Sequence, residues 1–69
     1  RERLVRERMR AVRRVMKRHL TPRQRECLRL RYLRALSQRE VAARLGIHQT
    51  TVSQHIRYAL KKLRRILGT

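Results

Sequence analysis

Between Leu36 and Ile56 the chain reads LSQREVAARLGIHQTTVSQHI, and the capping residues in this stretch leave its backbone little freedom. Ser37 is placed to cap a helix, Glu40 three residues on closes a capping box, and Leu36 with Val41 makes the hydrophobic staple across it. Gly46 supplies the left-handed conformation that stops this helix. Ile47 and Val52 form a second staple around a cap at His48, so another helix starts almost at once. Two helices joined by a tight glycine-containing turn, the second with a polar outward face, make a helix-turn-helix.

The second of these helices is expected over about Gln49 to Leu67, with Gly68 as its stop. With Val52 at 0° and about 100° per residue, Ile56 falls at about 40°, Ala59 at about −20°, Leu63 at about 20° and Leu60 at about 80°, one apolar stripe. Thr50, Gln54, Arg57 and Lys61 fall on the opposite side. This outward face is polar and hydrogen-bonding at its N-terminal end and cationic beyond it. Thr, Ser and Gln are mediocre helix formers, so their use on a solvated face asks for a reason other than helix stability.

Upstream, Thr21-Pro22 marks another start, with Thr21 as N-cap, Pro22 at the first helical position and Gln24 completing a capping box. That helix is expected to run to about Arg34, turning Cys27, Leu28, Leu30, Leu33 and Tyr32 toward the core. The helix starting at Gln38 ends at Leu45 and buries Val41, Ala42 and Leu45; small Ala42 and Ala43 let its neighbour approach closely. Residues 1–18 read as a separate Arg-rich helix in which Val5, Met9, Val12 and Met16 form a narrow seam flanked by Leu4 and Val15. Three readings of this seam stay open. It packs on the remaining domain, it pairs with the same helix of a second copy as a coiled coil, or it lies on a membrane surface. The expected architecture is all-α, a bundle of about four helices: a basic N-terminal helix over residues 1–19 and a three-helix core over residues 20–69.

The chain has 69 residues, enough for one small domain with a marginal core. It carries 21 Lys and Arg against four Glu and no Asp, a net charge of +17. Solubility needs only about 2 to 8 charges in a small domain, so the excess points to a polyanionic partner. Eighteen of the cations are Arg, which favours forked contacts to phosphates and guanine edges over diffuse attraction. The single cysteine, Cys27, excludes an internal disulfide and reads as a small buried hydrophobe in a reducing cytosol. There is no apolar run of membrane-spanning length and no signal-peptide pattern. The chain starts at Arg1 rather than Met, as a fragment would.

These features point to duplex DNA, with the last helix entering the major groove end-on. Gln49, Thr50 and Gln54 are the base-contacting candidates, since Gln can pair with adenine through two hydrogen bonds and the Thr methyl can touch a thymine methyl. Ser53 can reach either a base or a phosphate. Arg57, Lys61 and Thr51 are placed for phosphates along this helix. At the start of the preceding helix, whose free N–H groups suit an anion, Gln38 and Arg39 join Arg23 and Arg25 as phosphate-positioning candidates. His48, a cap where Ser is expected, can contact a phosphate when protonated, whereas His55 sits at the core boundary. These two histidines are about 10.5 Å apart along the helix, too far for one metal to bridge, and the chain offers no zinc-type ligand set. Neither a cofactor nor catalysis is expected: there are no paired carboxylates, no nucleophile with a base and no phosphate loop.

Leu20 to Leu67 resembles region 4 of bacterial RNA polymerase sigma factors. The resemblance is carried by LRLRY (Leu28 to Tyr32), LSQREVAARLGI and the ending ALKKLR (Ala59 to Arg64). It implies binding of the −35 promoter element through the second helix of the motif, and an apolar surface able to hold the flap of the polymerase β subunit. Aligned from ALKKLR, the base-reading positions of primary sigma factors fall on Gln49, Thr50 and Gln54. Only Gln54 keeps the primary-type residue; an Arg and a Glu are expected at the other two. This points away from the housekeeping hexamer, and TVSQHI is closer to alternative sigma factors. The DNA-binding domains of LuxR/NarL-type regulators overlap through LTPRQRE and TVSQH, but the RY pair and ALKKLR favour sigma.

Neither pattern explains residues 1–18. They suit a free-standing regulator with its own dimerisation or docking helix, or the tail of a longer sigma factor with its linker helix attached. The expectation is therefore a sequence-specific double-stranded DNA reader in transcription initiation, bacterial, cytoplasmic and nucleoid-associated, in contact with RNA polymerase and without a membrane. The rival is a non-specific basic nucleic-acid-binding protein, for which two Tyr and no Phe or Trp supply little stacking.

Overall fold

The computed structural model describes residues 2–68. Four helices follow one another: α1 (Glu2–His19), α2 (Pro22–Leu28, continued by a π-helical turn over Arg29–Leu33), α3 (Gln38–Leu45) and α4 (Gln49–Leu67). Among the described residues there is no strand, so the architecture is the all-α helix-turn-helix expected. Arg1, the first residue of the expected N-terminal helix, lies outside the described residues.

Each helix starts and stops where its local chemistry dictates. Thr21 Oγ1 accepts the Gln24 N–H at 3.1 Å, and Gln24 Oε1 accepts the Thr21 N–H at 3.1 Å, the complete reciprocal box. With its Oε1 taken by the Thr21 N–H, Gln24 tolerates burial. Ser37 and Glu40 repeat the arrangement at α3, at 3.1 and 2.9 Å. Gly46 closes α3 in the left-handed region (φ 66°, ψ 35°), and Ile47 N–H returns to Ala42 O at 3.1 Å. Gly68 closes α4 in the same way. His48 occupies the N-cap of α4 with no side-chain cap hydrogen bond.

The core lies where α4 packs against both α2 and α3. Leu20, Cys27, Leu28, Leu30, Val41, Ala42, Val52, Ile56 and Ala59 are buried in it. Met16, Leu36, Leu45, Ile47, Leu60 and Leu63 pack around its edge. Cys27 is fully buried, and burial pushes its thiol pKa up, so it behaves as a small hydrophobe. Of the α1 seam only Met16 joins the packing; Val12 and Val15 are half-buried, and Leu4, Val5 and Met9 are exposed.

Two residues expected in the core are outside it. Tyr32 is 56% and Leu33 62% exposed. The reason is the turn that ends α2: Arg34 N–H reaches back to Arg29 O at 3.1 Å, a five-residue span. In this wider turn each residue advances by less than the α-helical step of about 100°, so Leu33 falls short of the inward stripe. Leu36 N–H then closes onto Leu30 O at 3.1 Å, with Ala35 in the left-handed region (φ 56°).

Two cations tie α1 to the remaining helices. Arg25 donates to Lys17 O at 2.9 Å and Lys62 Nζ to His19 O at 3.1 Å. Both partners are carbonyls of the last turn of α1, which lack intrahelical donors and carry the negative end of its dipole.

Candidate nucleic-acid interface

The outward face of α4 follows from the burial of its inner one. Val52 and Ala59 are fully buried and Ile56 nearly so, which fixes the rotation of the helix about its axis. Thr50, Gln54, Arg57 and Lys61 are then left exposed on the far side. From Thr50 to Lys61 this line extends about 16.5 Å. Gln49, in the first helical position, is also exposed, whereas Ser53 and Thr51 flank the line half-buried. His55 is half-buried at the core boundary and His48 is exposed.

The start of α3 offers less to an anion than the sequence implied. Ser37 Oγ has taken the Glu40 N–H, and the Glu40 carboxylate stands at the positive end of the helix. The Ser37 backbone N–H, and then its hydroxyl, hold the Glu40 carboxyl pKa below its ordinary value. The N–H groups of Gln38 and Arg39 remain without intrahelical partners. Arg39 is exposed and Gln38 half-buried.

Arg23 and Arg25 are already engaged. The Arg23 guanidinium lies 3.1 Å from Glu26, and Arg25 is half-buried with one nitrogen on Lys17 O. Arg57, Lys61 and Arg39 form no ion pair among the described residues. Of the phosphate candidates, the uncommitted cations therefore lie on α4 and at the start of α3.

The sequence did not disclose the contacts beside this interface. Arg31 donates to Leu36 O at 3.3 Å, bracing the connection into α3, and its guanidinium sits 5.4 Å from the Tyr32 ring centre. Between α1 and α2 an open groove is lined by Arg13, Met16, Lys17, Arg25, Arg29 and Leu33. Of its apolar members Met16 was visible as a seam residue and Leu33 was expected in the core; their meeting depends on how two helices pack. Among the described residues no cluster of His, Cys or Glu could hold a metal ion, and no helix is long and apolar enough to cross a membrane.

The family described as Sigma-70, region 4 matches residues 18–65. No curated protein and no solved structure matches the chain. The matched span takes in α2, α3, the turn between α3 and α4, and most of α4, and it leaves nearly all of α1 outside. Region 4 domains bind DNA in transcription and contact RNA polymerase. With more than half its length matched and the helix-turn-helix in place, the chain belongs to the sigma-70 region 4 family.

Proposed function

We propose that the protein reads double-stranded DNA at promoter-like sites during transcription initiation, with the N-terminal half of α4 in the major groove. The observation that carries this reading is the split of α4 into a sealed stripe (Val52, Ile56, Ala59) and an exposed line that changes from Thr50 and Gln54 to Arg57 and Lys61. A helix entering the groove tip-first meets base edges with its first turns and phosphates with later ones. Gln49, Thr50, Ser53 and Gln54 take the base-facing roles. His48, Thr51, Arg57 and Lys61, with Gln38 and Arg39 at the start of α3, contact phosphates, and Arg23 and Arg25 add to them from α2. The partner places the protein on the nucleoid in the cytoplasm.

The groove between α1 and α2 supports a second element of the reading, contact with the polymerase β flap. Met16 and exposed Leu33 give it an apolar floor, and Arg13, Lys17, Arg25 and Arg29 surround it. Residues 1–19 then act as an appendage to the DNA-reading domain of residues 20–69.

Selection of bound duplexes from a random pool tests the assignment. One preferred asymmetric hexamer is expected, and Gln54→Ala should relax discrimination at one base pair by about 1–3 kcal/mol. A palindromic winner would indicate a symmetric LuxR/NarL-like dimer instead. Equal grip on heparin and on every duplex, or a Gln54→Ala loss uniform across sequences, would reduce the protein to a non-specific basic binder.

A further inference from the structure

The N-terminal part of α1 precedes the family match and takes almost no part in the core. Leu4 and Val5 are 50% and 55% exposed and Met9 37%, and Val12 is half-buried. Val5, Met9 and Val12 lie in one line about 10.5 Å long, with Leu4 beside it. Single exposed apolar residues need no explanation, but an aligned row on a helix this charged does.

The flanks of that row restrict what can cover it. In heptad terms Val5 and Val12 take d, Met9 and Met16 take a, and the e and g positions hold Arg6, Arg8, Arg13 and Val15. A parallel second copy would set Arg8 against Arg13, and an antiparallel one would set Arg6 against Arg13. Either pairing places like charges where a coiled coil needs opposite ones. The acidic residues of α1 do not compensate, because in this register Glu2 falls at a and Glu7 at the outward f position, neither at e or g. A lipid surface is a poor match as well, since Val and Met without Trp or Phe anchor weakly. A bare phosphate chain would satisfy the arginines and leave the apolar row in water.

We infer that residues 4–13 of α1 dock an acidic amphipathic helix of another protein, one with an apolar a/d stripe and Glu or Asp at its e and g positions. The apolar row and the unpaired Arg8 and Arg13 are both used only by such a partner. The docking face is separate from the exposed line of α4, so the proposal does not depend on DNA reading.

Fluorescence anisotropy with the whole chain and a labelled peptide of about three heptads, Leu at a and d and Glu at e and g, tests it. Salt-sensitive binding is expected, weakened at least tenfold by Met9→Glu. Met9 is surface-exposed, so far-UV circular dichroism and duplex affinity should be unchanged in that variant. The variant with Arg6, Arg8 and Arg13 all changed to Glu should lose the Glu peptide and gain one carrying Lys at e and g. Equal binding of the Lys peptide to the unaltered chain would overturn the proposal, as would equal binding of a Glu peptide with Ser at a and d. Two further outcomes would also overturn it: a dimer in sedimentation that Met9→Glu dissociates, or binding to phosphatidylserine–phosphatidylcholine vesicles with no binding of the Glu peptide.

Discussion

Replacing Arg57 by Ala removes one cation from the exposed face of α4 and leaves the buried stripe untouched. Each phosphate neutralised by a protein releases a condensed counterion, so log K falls against log salt with a slope of about −0.9 per contact. Arg39, Arg57 and Lys61 are exposed and lack acidic partners among the described residues, so they count in full. Arg23 must give up or share Glu26, and Arg25 is tied to Lys17 O, so they contribute anything from nothing to a full contact each. The expected slope thus lies between about −2.7 and about −4.5. Raising monovalent salt from about 50 to about 200 mM then weakens binding by about 40-fold to about 500-fold. In Arg57→Ala the slope should flatten by about 0.9, so the affinity gap from the unaltered chain narrows about 3.5-fold over that range. The assay is a salt titration by anisotropy on the selected duplex and a scrambled one. Arg57→Ala should weaken both alike, whereas Gln54→Ala should leave the slope unchanged and affect only the selected duplex. An unchanged slope in Arg57→Ala, or a slope in Gln54→Ala flattened to the same degree, would refute the division of α4 into a base-facing tip and a phosphate-facing shaft.

Two stability predictions accompany it. Val52→Ala empties a fully buried site in the first turn of α4 and should cost about 2–3 kcal/mol from lost burial and the residual cavity, read from denaturant midpoints; a change below about 0.5 kcal/mol would mean that α4 is not seated as described. The depressed Glu40 carboxyl stabilises the fold fully above the ordinary glutamate range, and this contribution is lost as pH falls through that range toward the lower folded-state pKa. Glu40→Gln should remove this part of the pH dependence of the unfolding midpoint; an identical acid profile in the variant would show that the capping box is not its source.

The parts legible in the sequence were those written in short-range chemistry. Thr21 with Gln24, Ser37 with Glu40, and Gly46 and Gly68 act on backbone groups within a few residues, so helix starts and stops could be read directly. The α4 stripe was legible because one long regular helix keeps a single angular step throughout. Leu33 and Tyr32 were misplaced because the widened turn breaks that step, and nothing in LRLRY announces it. The engagement of Arg25 by Lys17 O and of Lys62 by His19 O was hidden for a different reason. The Lys62 bond links residues 43 positions apart, and every Arg or Lys in so basic a chain looks equally free. The exposed row on α1 was visible as a seam, but only the packed structure shows that its C-terminal end alone is covered.

Ala35 holds a backbone conformation that costs a residue with a Cβ roughly 1–2 kcal/mol, and it does so just after a turn that has gained a residue. The joint has to deliver α3 in register with a core that α2, α3 and α4 share. Adding or deleting one residue between Arg29 and Ser37 would therefore strain the joint or that core, because the seating of α4 on α2 already fixes how the two ends of the chain sit. A protein gripping α1 would in consequence be held at one set angle to any duplex held by α4.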